Sequence, residues 1–318
     1  MPRRIVVLSA RTGWHTNELQ RALAERGWES AVLPYESLVA RLGTRAGGRG
    51  TPSWLSSEGE TIGDGAAVLA RIIPAGSLEQ IIYRVDALHW LEERGIAVMN
   101  SPRAIERTVD KFYTSALLQQ AGLATPETVV CERIDDAFAA FRAMGDVIVK
   151  PLFGSMGLGM LRVSDEDLAF RVFRALDAIR GVYYVQRTIA HHGCDVRAFV
   201  VGERVVAAME RVAPVEPGWR TNISRGGVAR AIDLPAAWTD LALRAARAVG
   251  AAYAGVDLLP AQDGTVYVLE VNGIPGWRGL QEVTAADIAG ELVEHLLSRL
   301  SDGGAAALSS EGALDACR

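Results

Sequence analysis

AGVDLLPAQDGTVYVLEVNGIPG, residues 254 to 276, decides more about the fold than any other stretch of the chain. Asp263-Gly264 is a dipeptide favoured in tight hairpin turns, and apolar residues flank it on both sides, so two antiparallel strands are expected to fold back on one another there. Asp257 falls on the first strand, Glu270 and Asn272 on the second. Side chains two apart on a strand share a face, so Glu270 and Asn272 project together and Asp257 meets them across the hairpin. Ordinary surface acids are the plainer reading. Against it, AGVDLL and YVLEVN embed these groups in apolar runs, where an unpaired carboxylate is costly. Three oxygen donors without histidine or thiolate suit magnesium or manganese, ions that complete their shells with water and substrate phosphate. A nucleotide is implied.

Upstream, VIVKPLFGSMGLGM (147–160) places Lys150 at the end of an apolar strand, with Gly154, Gly157 and Gly159 just after it. Glycines permit a tight loop whose backbone N–H groups approach phosphate, and the lysine adds a point charge. In a Walker loop the lysine follows the glycines; here it precedes them, which excludes that motif. A dinucleotide fingerprint is also a poor match, because the loop does not open a helix within a βαβ unit. Between these two features lie Arg197, Arg211, Arg220, Asn222 and Arg225. Planar guanidinium forks match carboxylate and phosphate oxygens, so a set of arginines beside a metal hairpin suits a γ-phosphate and an acyl phosphate. Taken singly, each could equally be a solubilising surface charge.

The first hundred residues alternate apolar runs with helical patterns: IVVLSA (5–10), a helix near 16–26, AVLP (31–34), AVLARII (67–73), a helix near 77–94 and IAVMN (96–100). This predicts a parallel sheet with crossover helices. The glycine-rich stretch 41–65 reads as an exposed loop or loose hairpin. Ser101-Pro102 opens, and Gly122 closes, a helix over 101–122. Strands at TPETVVC, DVIVKPL and LRV with helices near 135–144 and 165–180 make a small α+β segment. After YYVQRTI, strands near 196–201, 204–212, 228–232, 254–260 and 265–271, with a helix at 237–249, make another. The expected domains are therefore 1–100, 101–185 and 186–301. The last ends in a helix over about 286–300, and a small-residue tail, 302–318, is expected to be disordered.

With 318 residues and 49% hydrophobic content the chain can bury more than one core. Its 33 basic and 38 acidic residues give a net charge of −5 without long blocks of one sign, which disfavours a nucleic-acid partner. The apolar run after MPRR is too short for a signal peptide or a membrane span. Cys131, Cys194 and Cys317 lack disulfide or zinc spacing, so a cytoplasmic location is expected. His191-His192 would face opposite ways on a strand, which favours a loop over a joint metal site. Trp14, Trp54, Trp219 and Trp277 either anchor loops or stack on a flat heterocycle.

In order and spacing, NSPRAIERTVDKFYTSALL (100–118), VIVKPLFGSMGLG (147–159), YYVQ (183–186), DVRAFVVGERVVAAM (195–209), RTNISRGG (220–227), AGVDLL (254–259) and LEVNGIPG (269–276) resemble the ATP-grasp superfamily, specifically the RimK-like glutamate ligases, from Ile5 to about Leu300. The resemblance implies an α/β and α+β fold: an N-terminal parallel-sheet domain followed by two α+β lobes that clasp ATP. It further implies that Lys111, Lys150 and the loop of Gly154, Gly157 and Gly159 contact nucleotide phosphates, that Gln186 and Arg187 border adenine, and that Asp195 lies near the ribose. Arg220 and Asn222 would hold phosphate and substrate, and Asp257, Glu270 and Asn272 two Mg2+ or Mn2+ ions. Three positions depart from the pattern. Arg187 stands where relatives commonly carry an acid, Met156 where glutamine is frequent, and Glu210 where a lysine often precedes Arg211.

The implied chemistry is ATP-dependent: a carboxylate becomes an acyl phosphate, which the amine of L-glutamate attacks. Arg211, or backbone N–H groups from Gly273 to Gly276, would stabilise the oxyanion. GWHTNELQRAL (13–23), RIIPAGSLEQIIYRVDALHWLE (71–92) and GWRGLQEVT (276–284) resemble a branch linked to methanopterin-dependent one-carbon metabolism, so the acceptor expected is a methanopterin-type cofactor. A ribosomal protein tail, a deazaflavin cofactor or an amino-group carrier protein are the alternatives, and a homo-oligomer, dimer or tetramer, is expected. Two other classes fit some of the same residues: an inactive nucleotide-binding regulatory protein, and a kinase-like phosphotransferase.

Overall fold

Four consecutive apolar residues, Ile5 to Leu8, are fully buried, as a strand covered on both faces requires. They belong to β1 (Arg4–Leu8) of the computed structural model, which describes residues 4–43, 54–154, 157–213 and 228–311, with side chains to 301. The chain continues through α1 (Trp14–Glu25), β2 (Glu29–Leu33), β3 (Leu38–Ala40), β4 (Leu55–Ser57), β5 (Glu60–Thr61), β6 (Ala67–Ala70), α2 (Leu78–Glu93) and β7 (Ala97–Met99). A parallel sheet runs in the order β2-β1-β6-β7, as the alternating pattern predicts. Within the stretch read as an exposed loop or loose hairpin, β4 and β5 pair as a hairpin, and β3 joins them in a small antiparallel sheet, β3-β4-β5. Residues 44–53 within it lie outside the described residues.

The single helix expected over 101–122 is two helices, α3 (Pro102–Val109) and α4 (Lys111–Gln120). Asp110 divides them: its carboxylate accepts the Tyr113 N–H at 3.0 Å and caps α4. That break sets Lys111 at the first position of α4. Asp110→Ala is expected to cost about 1 kcal/mol, read as a lower urea midpoint.

Next come β8 (Thr128–Cys131), α5 (Ile134–Met144), β9 (Val147–Lys150), β10 (Leu161–Val163), α6 (Glu166–Ala178) and β11 (Tyr183–Arg187). Their sheet, β10-β9-β11-β8, is antiparallel. One face packs Val147, Val149, Tyr183 and Val185 onto Ala137, Phe141 and Phe173 of α5 and α6. The other face carries polar groups. A five-stranded sheet, β14-β13-β12-β15-β16, follows from β12 (Cys194–Val201), β13 (Arg204–Val212), β14 (Val228–Ala231), β15 (Tyr253–Pro260) and β16 (Val266–Asn272), with α7 (Ala236–Val249) between β14 and β15. Here Val196, Ala198, Val200, Val256, Leu258 and Val268 pack with Ala242, Ala246 and Val249 of α7 and Leu118 of α4. The alternate residues of those strands therefore face away from the core.

The chain ends with α8 (Arg278–Gln281) and α9 (Ile288–Glu311). Two compact units result: Met1–Ile105 with Gly276–Gln281 and Ala285–Arg318, and Glu106–Pro275 with Glu282–Thr284. The final helix, placed by sequence in the C-terminal lobe, belongs to the first unit. There α1 meets it through Arg21 to Asp287 at 2.6 Å and Arg26 to Glu294 at 3.2 Å. It also continues past residue 301, where a disordered tail is predicted; alanines in that stretch favour helix. Among the described residues no helix is long and apolar enough to cross a membrane.

Candidate active site

The β15–β16 hairpin closes as its sequence predicts, with Gly264 at φ 86° and the Thr265 N–H donating to Asp263 Oδ1 at 2.9 Å. From the turn, Pro260 pairs with Val266, Leu259 with Tyr267 and Leu258 with Val268. Continued regularly, that register would set Asp257 opposite Leu269 and turn Glu270 to the other face. The register instead shifts by one residue between Asp257 and Leu258, so Asp257 lies opposite Glu270, and Gly255 opposite Asn272. This bulge puts the three oxygen donors on one face.

Asp257 is 6% exposed and is held by two arginines. Arg197 Nε and Nη2 donate to its Oδ1 and Oδ2, both at 2.7 Å, and Arg211 Nη2 lies 3.0 Å from Oδ2. Arg211 is also bidentate to Asp195, at 2.6 and 2.7 Å. Burial alone would raise the Asp257 pKa; Arg197 and Arg211 outweigh it and bring it down to about 2. For Arg211, burial opposes the charge, but Asp257 and Asp195 hold its pKa above the ordinary arginine value. Sequence reading grouped Arg197 with the other arginines and missed its task, the clamp on Asp257; adjacency across β12 and β15 shows only once the strands are paired.

This donor set fits a hard divalent cation. All three candidate groups offer oxygen, two are carboxylates, and among the described residues Asp257 Oδ1 accepts one N–H and keeps a lone pair. Among the described residues no three His, Cys, Asp or Glu side chains cluster as an alternative metal site.

Lys150, 8% exposed at the end of β9, donates to Gln186 Oε1 at 2.6 Å. Gln186 in turn donates to Thr128 Oγ1 at 2.9 Å and Tyr184 Oη at 3.3 Å, and Tyr184 Oη meets Ser115 Oγ at 2.8 Å. Tyr184 pairs with Lys150 across the strands and Thr128 with Gln186, so these residues share the polar face. The alternation in YYVQ, opposite IVK, was the available signal for Tyr184. Burial pulls the Lys150 pKa down to about 8, with Glu270 and Asp257 raising it against Lys111. The Lys150 ammonium therefore feels both candidate metal carboxylates.

Lys111 Nζ donates to the Gly154 carbonyl at 2.7 Å, joining α4 to the glycine loop, and burial lowers its pKa. Gly157 and Gly159 have φ of 66° and 75°, backbone that other residues adopt only under strain. Gly273 is needed for a different reason: a Cβ there would overlap the Thr108 hydroxyl. Arg187 is on the opposite, helix-facing side of β11. Its guanidinium is engaged by Glu127 at 2.6 Å and by the Met144 carbonyl at 3.1 Å, so its side chain does not join Gln186. Asp195 faces Arg211, not open solvent. Arg220, Asn222, Arg225 and Met156 lie outside the described residues. Trp277 is 1% exposed and packs edge-on against Trp14, an anchor and not a stacking platform.

A charge test follows from Lys150. Its proton is lost as pH rises through about 8, so nucleotide affinity is expected to weaken about tenfold per unit above that pH. Lys150→Arg should flatten the profile when a fluorescent nucleotide is titrated. For stability the sign is opposite. A lysine whose pKa is depressed in the native state disfavours folding below that pKa, and the penalty is relieved as pH rises from about 8 towards the unfolded value.

Oxygen donors that suit a divalent cation, a buried lysine within their field and a strand-to-loop turn of left-handed glycines are features that suit work on a nucleotide phosphate. A family model described as "RimK-like ATP-grasp domain" matches residues 108–296. The tetrahydromethanopterin:alpha-L-glutamate ligase of Methanosarcina acetivorans is 32% identical over 311 residues, 89% of this chain and 95% of that one. A probable alpha-L-glutamate ligase of Xanthomonas campestris pv. campestris is 36% identical over 228 residues, 71% of this chain and 78% of that protein. Among solved structures, the ATP-grasp ligase PsnB complexed with minimal precursor, Mg and ADP superposes with a TM-score of 0.70 at 25% identity, covering 93% of this chain and 98% of that one. The chain belongs to the RimK-like ATP-grasp family and is an ATP-grasp ligase.

Proposed function

We propose that this ligase joins the α-amino group of L-glutamate to a carboxylate of a tetrahydromethanopterin-type acceptor, using ATP and two divalent metal ions. The relatives' names supply glutamate and the acceptor. The observation that carries the nucleotide chemistry is the alignment of Asp257 with Glu270, one residue out of regular register, within the field of Lys150. Segments 101–185 and 186–301 act as the two lobes that hold the nucleotide, in a homo-oligomer.

Lys150, oriented by Gln186 and the Thr128 and Tyr184 hydroxyls, neutralises phosphate oxygens, and Lys111 exchanges the Gly154 carbonyl for phosphate. Metal ions held by Asp257, Glu270 and Asn272 would draw charge off the phosphates. The acceptor carboxylate attacks the γ-phosphorus, the bond to the bridging oxygen breaks, and ADP leaves with that electron pair. The glutamate amine then attacks the acyl carbon, phosphate departs and the amine loses a proton. Arg197 and Arg211 fix the plane of the Asp257 carboxylate. Arg211 Nη1, which has no partner among the described residues, is the part of that side chain left for an oxyanion. Arg220 and Asn222 hold phosphate and substrate. With its side chain turned away, Arg187 borders adenine through its backbone.

The test is incubation of the purified protein with ATP, Mg2+, L-glutamate and tetrahydromethanopterin, followed by mass spectrometry. The pterin should gain a glutamyl residue, with ADP formed in step. A glutamylated peptide or protein with the pterin unchanged would overturn the acceptor assignment.

A further inference from the structure

Thr128 Oγ1 donates its one hydrogen to the Pro126 carbonyl at 2.8 Å, so towards Gln186 it acts as an acceptor. That commitment fixes the amide. Gln186 offers Nε2 to Thr128 and Tyr184, which leaves Oε1 for the Lys150 ammonium. Tyr184 Oη meets Ser115 Oγ at 2.8 Å, and the centre of its ring lies 5.9 Å from Lys150 Nζ. Ser115 stands one turn after Lys111 on α4, on the same face of the helix. Lys111 Nζ in turn donates to the Gly154 carbonyl, and its backbone N–H reaches the Leu152 carbonyl at 3.4 Å, both in the turn that follows Lys150. The path is closed. It runs from Lys150 through Gln186, Tyr184 and Ser115 to α4 and Lys111, then back along the loop to Lys150, all within the unit Glu106–Pro275.

Two ammonium groups set to meet one phosphate chain repel each other before it arrives, and the Lys111 charge does pull the Lys150 pKa down. Repulsion between charges taken out of water favours rotamers that splay the lysines apart, at the expense of phosphate binding. The hydroxyl pair opposes that. The bond between Ser115 and Tyr184 ties α4 to β11, and β11 holds Lys150 through Gln186, so the spacing of the two charges is set before nucleotide binds. We propose that Tyr184 and Ser115 are positioning residues that hold Lys111 and Lys150 as one preorganised phosphate-binding pair. Their effect on phosphate passes through the lysines, and the inference rests on the reading of those lysines as phosphate ligands.

Displacement of a fluorescent ATP analogue from the full chain by ATP and by adenosine separates the phosphates from the base. Ser115→Ala, which keeps helix propensity high, is expected to raise the Kd for ATP about fivefold, the size of one lost hydrogen bond, and to leave that for adenosine unchanged. Tyr184→Phe, which keeps the ring beside Lys150, should act in the same direction. Ser115→Thr restores a hydroxyl and should bind ATP as the wild type does. In a Lys111→Gln background, Ser115→Ala should cost less than about twofold, because the second charge is gone. Equal losses for ATP and adenosine would mean that the hydroxyls serve the base, and would overturn the proposal. An undiminished effect of Ser115→Ala in the Lys111→Gln background would overturn it too. If Lys111→Gln and Lys150→Gln bind ATP as tightly as the wild type, the phosphate reading fails and the pair falls with it. If they bind ATP weakly while Ser115→Ala and Tyr184→Phe bind it normally, the lysines keep their task and only the positioning role is lost.

Discussion

Glu270→Gln is expected to lower acid-dependent ADP formation by about three orders of magnitude while leaving the chain folded. The substitution keeps size and one oxygen but removes the charge that a divalent cation needs from its ligands. Glu270 is half-buried at the end of a strand whose apolar residues, Val268 and Val271, hold the fold without it. Stability should therefore stay within about 0.5 kcal/mol, the range for changes away from core features. Asn272→Ala removes a neutral donor from the same face and should cost less. Circular dichroism and a thermal melt alongside the ADP assay separate the two quantities. Near wild-type turnover in Glu270→Gln would remove the metal assignment from the hairpin.

Arg211→Met should have the largest effect on stability, about 3–5 kcal/mol, because it strips the shared partner from two buried carboxylates. Asp195 and Asp257 are 5% and 6% exposed; without Arg211, Asp195 loses the two hydrogen bonds it accepts from that guanidinium, whereas Asp257 keeps Arg197. Adding Asp195→Asn should recover part of the loss, since the buried charge that Arg211 compensated goes with it. The same ladder predicts acid sensitivity. Asp257 titrates at about 2 in the native protein and near 4 unfolded, so its contribution is present above pH 4 and is lost as pH falls towards 2. Urea midpoints of the wild type and Arg211→Met between pH 7 and pH 3 would show it, the difference narrowing with acid.

How much of this was legible in the sequence differs from element to element. The hairpin was, because Asp263-Gly264 and the runs beside it leave few other conformations. The parallel sheet was legible too, since strand and helix periods alternate cleanly over the first hundred residues. What periodicity cannot carry is a one-residue event. The shift at Asp257 that aligns it with Glu270, and the cap at Asp110 that splits a helix and sets Lys111 at its start, each hinge on a single position. Pairings between distant strands were also hidden. Arg197 and Asp257 are 60 residues apart in sequence, and only the β12–β15 register makes them neighbours. Arg187 shows the reverse case. A family pattern placed it beside the nucleotide, whereas strand alternation turns its side chain to the helix face, where Glu127 meets it.

The most direct measurement of the central claim is oxygen transfer. If the acceptor carboxylate is activated by phosphorylation, one of its oxygens must leave with the phosphate when the amine attacks. The acceptor labelled with 18O in its carboxylate should therefore yield inorganic phosphate carrying label in proportion to amide formed, as read by mass spectrometry. Amide formed with unlabelled phosphate would contradict the acyl-phosphate route.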